Sequence, residues 1–310
     1  VLAQVVARFE ATSNIRVMVV GDTEATKTTG LVERLVLEKD RPRADVWWSS
    51  EALGSISLAD RSVLTQIPPE LLERSLSGRT PDHVSPDGRW VGFAPRARVI
   101  AFSARAFGTD DQPRTLEDLL DPRLKGRIGM ARPQFGTTRT HIAALVASRG
   151  EPATRVLLEA LQANGLRLYD GNSSVVRAIA EGEIDAGATD SDDVWAAQAN
   201  GWPVEFRFEP AQPESDLSVR GTLLIPNTVG LVSGGPNPAE AAELFSFLLS
   251  PAVERVLAAS RSKNLPTLPE VIAEFPQLAP RGHWGLDSAP IAGAMPAADR
   301  LIAEFFPLKE

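Results

Sequence analysis

Apolar residues at Leu2, Val5, Val6 and Phe9 recur at helical spacing, so the chain opens in an amphipathic helix. The alternation Ile15, Val17, Val19 then predicts a strand. Residues 44–48 form a short buried-strand run followed by the polar Ser49-Ser50-Glu51, and residues 53–64 have a helical pattern. Two apolar runs flank Pro95 within residues 90–102, as expected of strands. Helix and strand patterns alternate onward. Helices are expected at 115–120, 141–148, 152–163, 175–181, 238–249, 252–258 and 297–306, and strands at 126–130, 166–169, 184–188 and 221–232. Alternation at this rhythm predicts an α/β fold with mixed, mostly parallel sheets.

Four polar loops leave a strand and open a helix: 49–51, 135–138, 171–174 and 189–193. Open α/β sheets bind ligands at that edge, where free amide N–H groups point outward. Split between two halves of the chain, such loops predict a cleft between two lobes. Residues 1–95 with 226–275 are expected to form one lobe, 96–225 the second, and 276–310 a C-terminal segment carrying a helix.

Composition narrows the partners. At 310 residues the chain is long enough for two cores, and no apolar run approaches the ~20 residues of a membrane helix. The net charge is −8 and Lys and Arg form no dense block, which argues against nucleic acid. There is no cysteine, which excludes disulfides and thiolate chemistry. A domain that begins in a helix suggests a targeting segment, and a first strand, upstream of Val1.

The motifs then resemble a known family. FEATSNIRV, RPRADVWWSSE, WVGFAPRARVIAF, DPRLKGRIGMARP, GNSSVVRAIAEGEIDAGATDSDD and GTLLIPNTVGLV, in that order, look like the iron(III)-type periplasmic binding proteins of the type II solute-binding family. The resemblance runs from Val1 to Pro269. It implies a two-lobed fold closing by hinge motion on its ligand, a periplasmic or lipid-anchored extracytoplasmic location, and delivery to the membrane subunits of an ABC importer. A monomer with no cofactor is expected, a metal ion entering only as cargo.

The chain departs from that family at the ligand. The family's adjacent tyrosines correspond to Asp192 and Asp193, and Tyr169 is the only tyrosine present. Its glutamate ligand corresponds to Glu51, its anion-holding positions to Phe135, Thr137, Asn172 and Asp190, and its cleft arginines to Arg96 and Arg98. The family's histidine ligand would fall before Val1.

Asp190, Asp192 and Asp193 offer hard oxygen donors suited to a metal ion, and equally to an ammonium group. A cationic ligand is therefore expected, with Glu51, Asp192 and Asp193 as its metal ligands and Trp48, Gly136, Thr137, Asn172, Ser173, Arg96, Arg98 and Asp190 around it. A phosphate should be repelled by Asp190. The plainer alternative is that these acids serve the helix they precede, Asp190 as its cap. Adjacent helical residues point about 100° apart, so all three are not expected to converge unless the backbone is irregular. Asn172-Ser173-Ser174 equally reads as a helix cap, and Arg96 and Arg98, on one strand face, could pair with an acid instead of a ligand. One of Trp47 and Trp48 is expected in the core, and Trp195 is expected to pack. His83, His141 and His283 show no ligand spacing. A rival class, a Mg-dependent hydrolase or phosphotransferase using the same acidic loop, lacks any GxSxG, P-loop or GxGxxG support. The reading is a binding protein and not an enzyme.

Overall fold

The structure is a computed structural model that describes residues 1–21, 29–76, 78–79, 83–134, 136–209, 221–279 and 289–308. Phe135 and His283 lie outside the described residues. The chain forms two compact units, Val1–Pro95 with Ile225–Ala279, and Arg96–Leu224 with Pro290–Glu310.

The first unit begins with α1 (Leu2–Ser13), which buries Val5 and Phe9 and ends at Asn14, whose φ of 59° is the left-handed stop that Asn tolerates. Residues 15–20 form no strand: Met18 and Val20 are exposed, and the Val17 amide is taken by the Glu10 side chain. Alternation alone could not supply the paired neighbour a strand needs. Next come α2 (Thr29–Leu37), β1 (Val46–Ser49), α3 (Ala52–Asp60) and α4 (Pro69–Ser75). β2 (Trp90–Ser103) is one continuous strand that carries the chain into the second unit.

There follow β3 (Ile128–Ala131), α5 (Gly136–Ala163), β4 (Arg167–Tyr169), α6 (Asn172–Ala180), β5 (Ala186–Asp190), α7 (Ser191–Ala199) and β6 (Val204–Arg207), a strand not foreseen. α5 joins the two helices expected on either side of Gly150, which breaks it at φ 82°. β7 (Leu224–Leu231) returns the chain to the first unit, where α8 (Pro238–Leu248), α9 (Pro251–Ala259) and α10 (Pro269–Glu274) each start with proline, whose missing N–H costs nothing there. α11 (Ala289–Phe305) closes the chain on the second unit: Arg139 and Asp299 pair at 2.7 Å, and Arg155 pairs with Glu304, tying it to α5.

The sheet is mixed. β1 pairs antiparallel with β7, and β2 pairs antiparallel with both β5 and β6; among the described ladders the parallel ones join β3 to β4 and to β5. The expected excess of parallel pairs is therefore absent among the described ladders, because β2 runs against the βα units it joins. In the first unit one cluster gathers Val5, Phe93, Val229 and Phe245, and another Trp47, Leu58, Leu64 and Trp90. Trp47 is the core member of its pair, donating its indole N–H to Ser55 Oγ at 2.9 Å. In the second unit Phe102, Ile128, Leu158, Ile179 and Ile184 are fully buried.

Bare glycine backbone sets how closely α6 lies on its sheet. A Cβ at Gly187 would fall 2.7 Å from Val175 Cγ1 and 2.6 Å from the Gly129 oxygen. Any side chain there would lift α6, and Asn172 at its start, off the strands.

Candidate functional site

Parallel β4, β3 and β5 each end where a helix starts. β3 leads to α5 through Gly136, whose φ of 62° makes the turn. β4 leads to α6 at Asn172, and β5 to α7 at Ser191. One edge of the second unit thus collects three helix N-termini, with their free amides and positive dipole ends. Antiparallel pairing of β2 with β5 sets Arg98 directly opposite Asp190, and Arg96 lies two residues along on the same face.

The Asp190 carboxylate is buried and fully engaged. Oδ1 accepts from Arg98 Nη1 at 2.7 Å; Oδ2 accepts from Thr137 Oγ1 at 2.7 Å, Asn172 Nδ2 at 2.8 Å and Arg96 Nε at 3.1 Å. Burial pushes this carboxyl up, but Arg98, Arg96 and the Thr137 hydroxyl together outweigh it and hold the group below the ordinary range.

Asp190 stands at the N-cap position of α7, yet its side chain caps nothing. The expected capping role is overturned, because two guanidiniums offer stronger hydrogen bonds than a helix amide does. Arg96 and Arg98 are paired with an acid. Asn172 likewise does not cap: Gly171 holds that position in α6, Asn172 turns to Asp190 and Thr137, and Ser173 is exposed.

Asp192 and Asp193 occupy the first turn of α7, and carboxylate oxygens of all three aspartates lie within 4.8 Å of one another. They converge because Asp190 has extended backbone, φ −107° and ψ 147°, so the spread of successive helical side chains does not apply to it. Asp192 Oδ1 is buried without a hydrogen-bond partner, and its Oδ2 lies 4.0 Å from Arg96 Nη1. Burial raises the Asp192 carboxyl; Arg96 draws it down and Asp190 pushes it up again. Asp193 is pushed up to about 8 by burial, then by the charges of Asp192 and Asp190. Three carboxylates face two guanidiniums, leaving one negative charge uncompensated when all are ionised.

Two residues of this edge were not foreseen. Ser191 Oγ accepts the Ala97 amide at 3.1 Å, fastening α7 to β2. Arg98 Nε reaches His141 Nδ1 at 3.5 Å, and burial, followed by Arg98 and Arg149, holds that imidazole well below its usual range. Thr137 and His141 are four apart on α5, the spacing that shares a helix face, and that signal could have found it.

Two further expected residues, Glu51 and Trp48, belong to the first unit, and Trp195 to the second. Glu51 is buried in the first unit and caps α3, accepting from Leu53 N at 2.8 Å and Gly54 N at 3.2 Å. Trp48 packs tilted on Phe93, its indole 3.4 Å from Asn227 Oδ1. Trp195 packs edge-on against Phe206, as a packing residue should.

Comparison with known proteins gives a consistent context. The family described as bacterial extracellular solute-binding proteins matches residues 58–285. Iron uptake protein A2 of Synechocystis is 29% identical over 260 residues, 82% of this chain and 73% of the relative. The major ferric iron-binding protein of Neisseria meningitidis is 27% identical over 254 residues, 81% of this chain and 74% of the relative. The apo ferric ion-binding protein A of Pasteurella haemolytica superposes with a TM-score of 0.82 at 22% identity, over 98% of this chain and 93% of that one, which establishes a shared fold.

Proposed function

Since the chain belongs to the bacterial extracellular solute-binding proteins, we propose that it is the receptor of an ABC importer for a cationic ligand, a hydrated or chelated metal ion such as iron, held by Asp192 and Asp193. The observation that carries this is the division of labour among the three aspartates. Asp190 is neutralised by Arg96 and Arg98, whereas Asp192 keeps a buried oxygen with no hydrogen-bond partner and Asp193 is pushed up by burial, then by the charges of Asp192 and Asp190. A cation relieves both at once.

Carboxylate oxygens suit hard ions, and two aspartates supply two to four of the roughly six donors such ions take. Water or a chelate carried with the metal completes the shell. The relatives' names support iron in particular. Tyr169, the chain's only tyrosine, donates its hydroxyl to Glu183 at 3.0 Å, so a ferric complex held by Asp192 and Asp193 would lack phenolate ligation and its colour. Asp192 and Asp193 belong to the second unit; in the first unit Glu51 accepts the Leu53 and Gly54 amides as the cap of α3, and Trp48 packs on Phe93.

Calorimetric titration with ferric citrate, Mn²⁺, Ca²⁺ and a diamine tests the reading. One cation should bind stoichiometrically and be released unchanged, and Asp192→Ala with Asp193→Ala should abolish binding while unfolding stays cooperative. Unchanged affinity in that double variant refutes the site. Steady product formation from a phosphate ester would favour the Mg-dependent enzyme instead.

A further inference from the structure

Strand β2 carries the chain between the units at Pro95–Arg96, and β7 does so at Leu224–Ile225. Each has a proline beside its crossing, Pro95 and Pro226, with no N–H to give to a sheet ladder. Ala94, the residue before Pro95, is 1% exposed and has a φ of 39°. That value is disfavoured twice. It presses Cβ toward the following carbonyl oxygen, and a residue that precedes proline is driven to extended backbone. Such a residue keeps its conformation only where the surroundings over-determine it.

Here the first unit supplies the restraint. The Ala94 carbonyl accepts from Asn227 Nδ2 at 2.6 Å and from Asn264 Nδ2 at 3.2 Å, and the Pro95 carbonyl accepts the Leu265 amide at 2.7 Å. Two consecutive peptide planes of β2 are clamped where the strand leaves the unit. Asn227 and Asn264 are both buried, and Lys263, just before Asn264, is another non-glycine residue at positive φ, 46°.

We propose that Ala94 is a strained pivot in β2, held by Asn227 and Asn264, whose strain keeps a second conformation of the crossing strand, with Ala94 extended, within thermal reach. The inference goes beyond the hinge motion that the family resemblance implies, because it names the residue whose φ changes and the side chains that resist the change. It does not rest on the cation reading, and its test contains no ligand.

The chain has no cysteine, so a dye pair can be placed on Leu37→Cys in α2 and Val156→Cys in α5, positions 86% and 63% exposed in the first and second unit. Single-molecule energy transfer then reads the distance distribution of ligand-free protein. Asn264→Leu keeps a similar volume but loses the donor, and should move the balance of populations by on the order of tenfold. Ala94→Val, whose branched side chain tolerates positive φ least, should move it the same way. Ala94→Gly carries this φ without cost, so adding it to Asn264→Leu should reverse the shift. If Asn264→Leu fails to fold, opposite displacements in Ala94→Val and Ala94→Gly support the proposal. Distributions that superimpose in every variant overturn it, as does a glycine that adds to the Asn264→Leu shift. Thermal unfolding supplies the second readout: Ala94→Gly should melt no lower than wild type, and a clear loss would mean that alanine is unstrained there and also overturn the proposal.

Discussion

Replacing Asp193 by asparagine keeps the side chain's shape and removes a carboxyl whose protonation is pushed well above its ordinary value. Its carboxyl sits at about 8 in the folded protein, against 3.8 without the fold. Between those values the folded chain holds a proton that the unfolded chain has released. Stability therefore falls as pH rises from about 4 to about 8, then levels off. About four pH units at 1.36 kcal/mol each set a ceiling of about 6 kcal/mol. Asp193 is only half-buried and shares its titration with Asp192, so a net effect on the order of 2 kcal/mol is expected. For a unit of this size that is about 4–8 °C in Tm. Asp193→Asn should match wild type near pH 4 and exceed it by that amount at pH 8.5, as read by thermal unfolding of ligand-free protein across the range. Curves that run parallel, or a variant less stable at pH 8.5, would refute the electrostatic reasoning.

The same proton couples to ligand. Cation affinity should fall toward tenfold per pH unit below about 8, with close to one proton released per ion near neutral pH, as titrations in buffers of different ionisation heat would register. Arg79 and Glu254 form a completely buried pair at 2.7 Å in the first unit, where Glu254 also accepts from the Thr267 and Leu268 amides. Arg79→Met strands that carboxylate and should cost about 3–5 kcal/mol in denaturant unfolding without changing cation binding. Glu51→Ala removes the cap of α3 and should cost about 1 kcal/mol by the same assay.

Much of the fold was legible because its helices carry strong period and clear stops. Val5 and Phe9, four apart in α1, and the prolines opening α8 and α9 mark elements that the structure has within a few residues. The stretch around Val17 failed because alternation describes which face would be buried, not whether a partner strand is there. The balance of parallel and antiparallel ladders was also hidden, since it depends on which way β2 runs against β5, a matter of topology and not of local pattern.

At the candidate site, the sequence marked the residues but not their connections. Loops after strands picked out Thr137, Asn172 and Asp190 together. That Asp190 would turn back onto Arg96 and Arg98 instead of capping α7 depends on the β2–β5 register, which sets Arg98 opposite it. Asp192 and Asp193 look alike in sequence and differ in kind from Asp190 only once the arginines are placed.

Diffraction from crystals soaked with Mn²⁺ or ferric citrate, collected at the metal's absorption edge, tests the cation site most directly. The account predicts one anomalous peak about 2.0–2.6 Å from oxygens of both Asp192 and Asp193, with Asp190 still bound to Arg96 and Arg98. A metal bound elsewhere while these two carboxylates stay free of it would contradict the account.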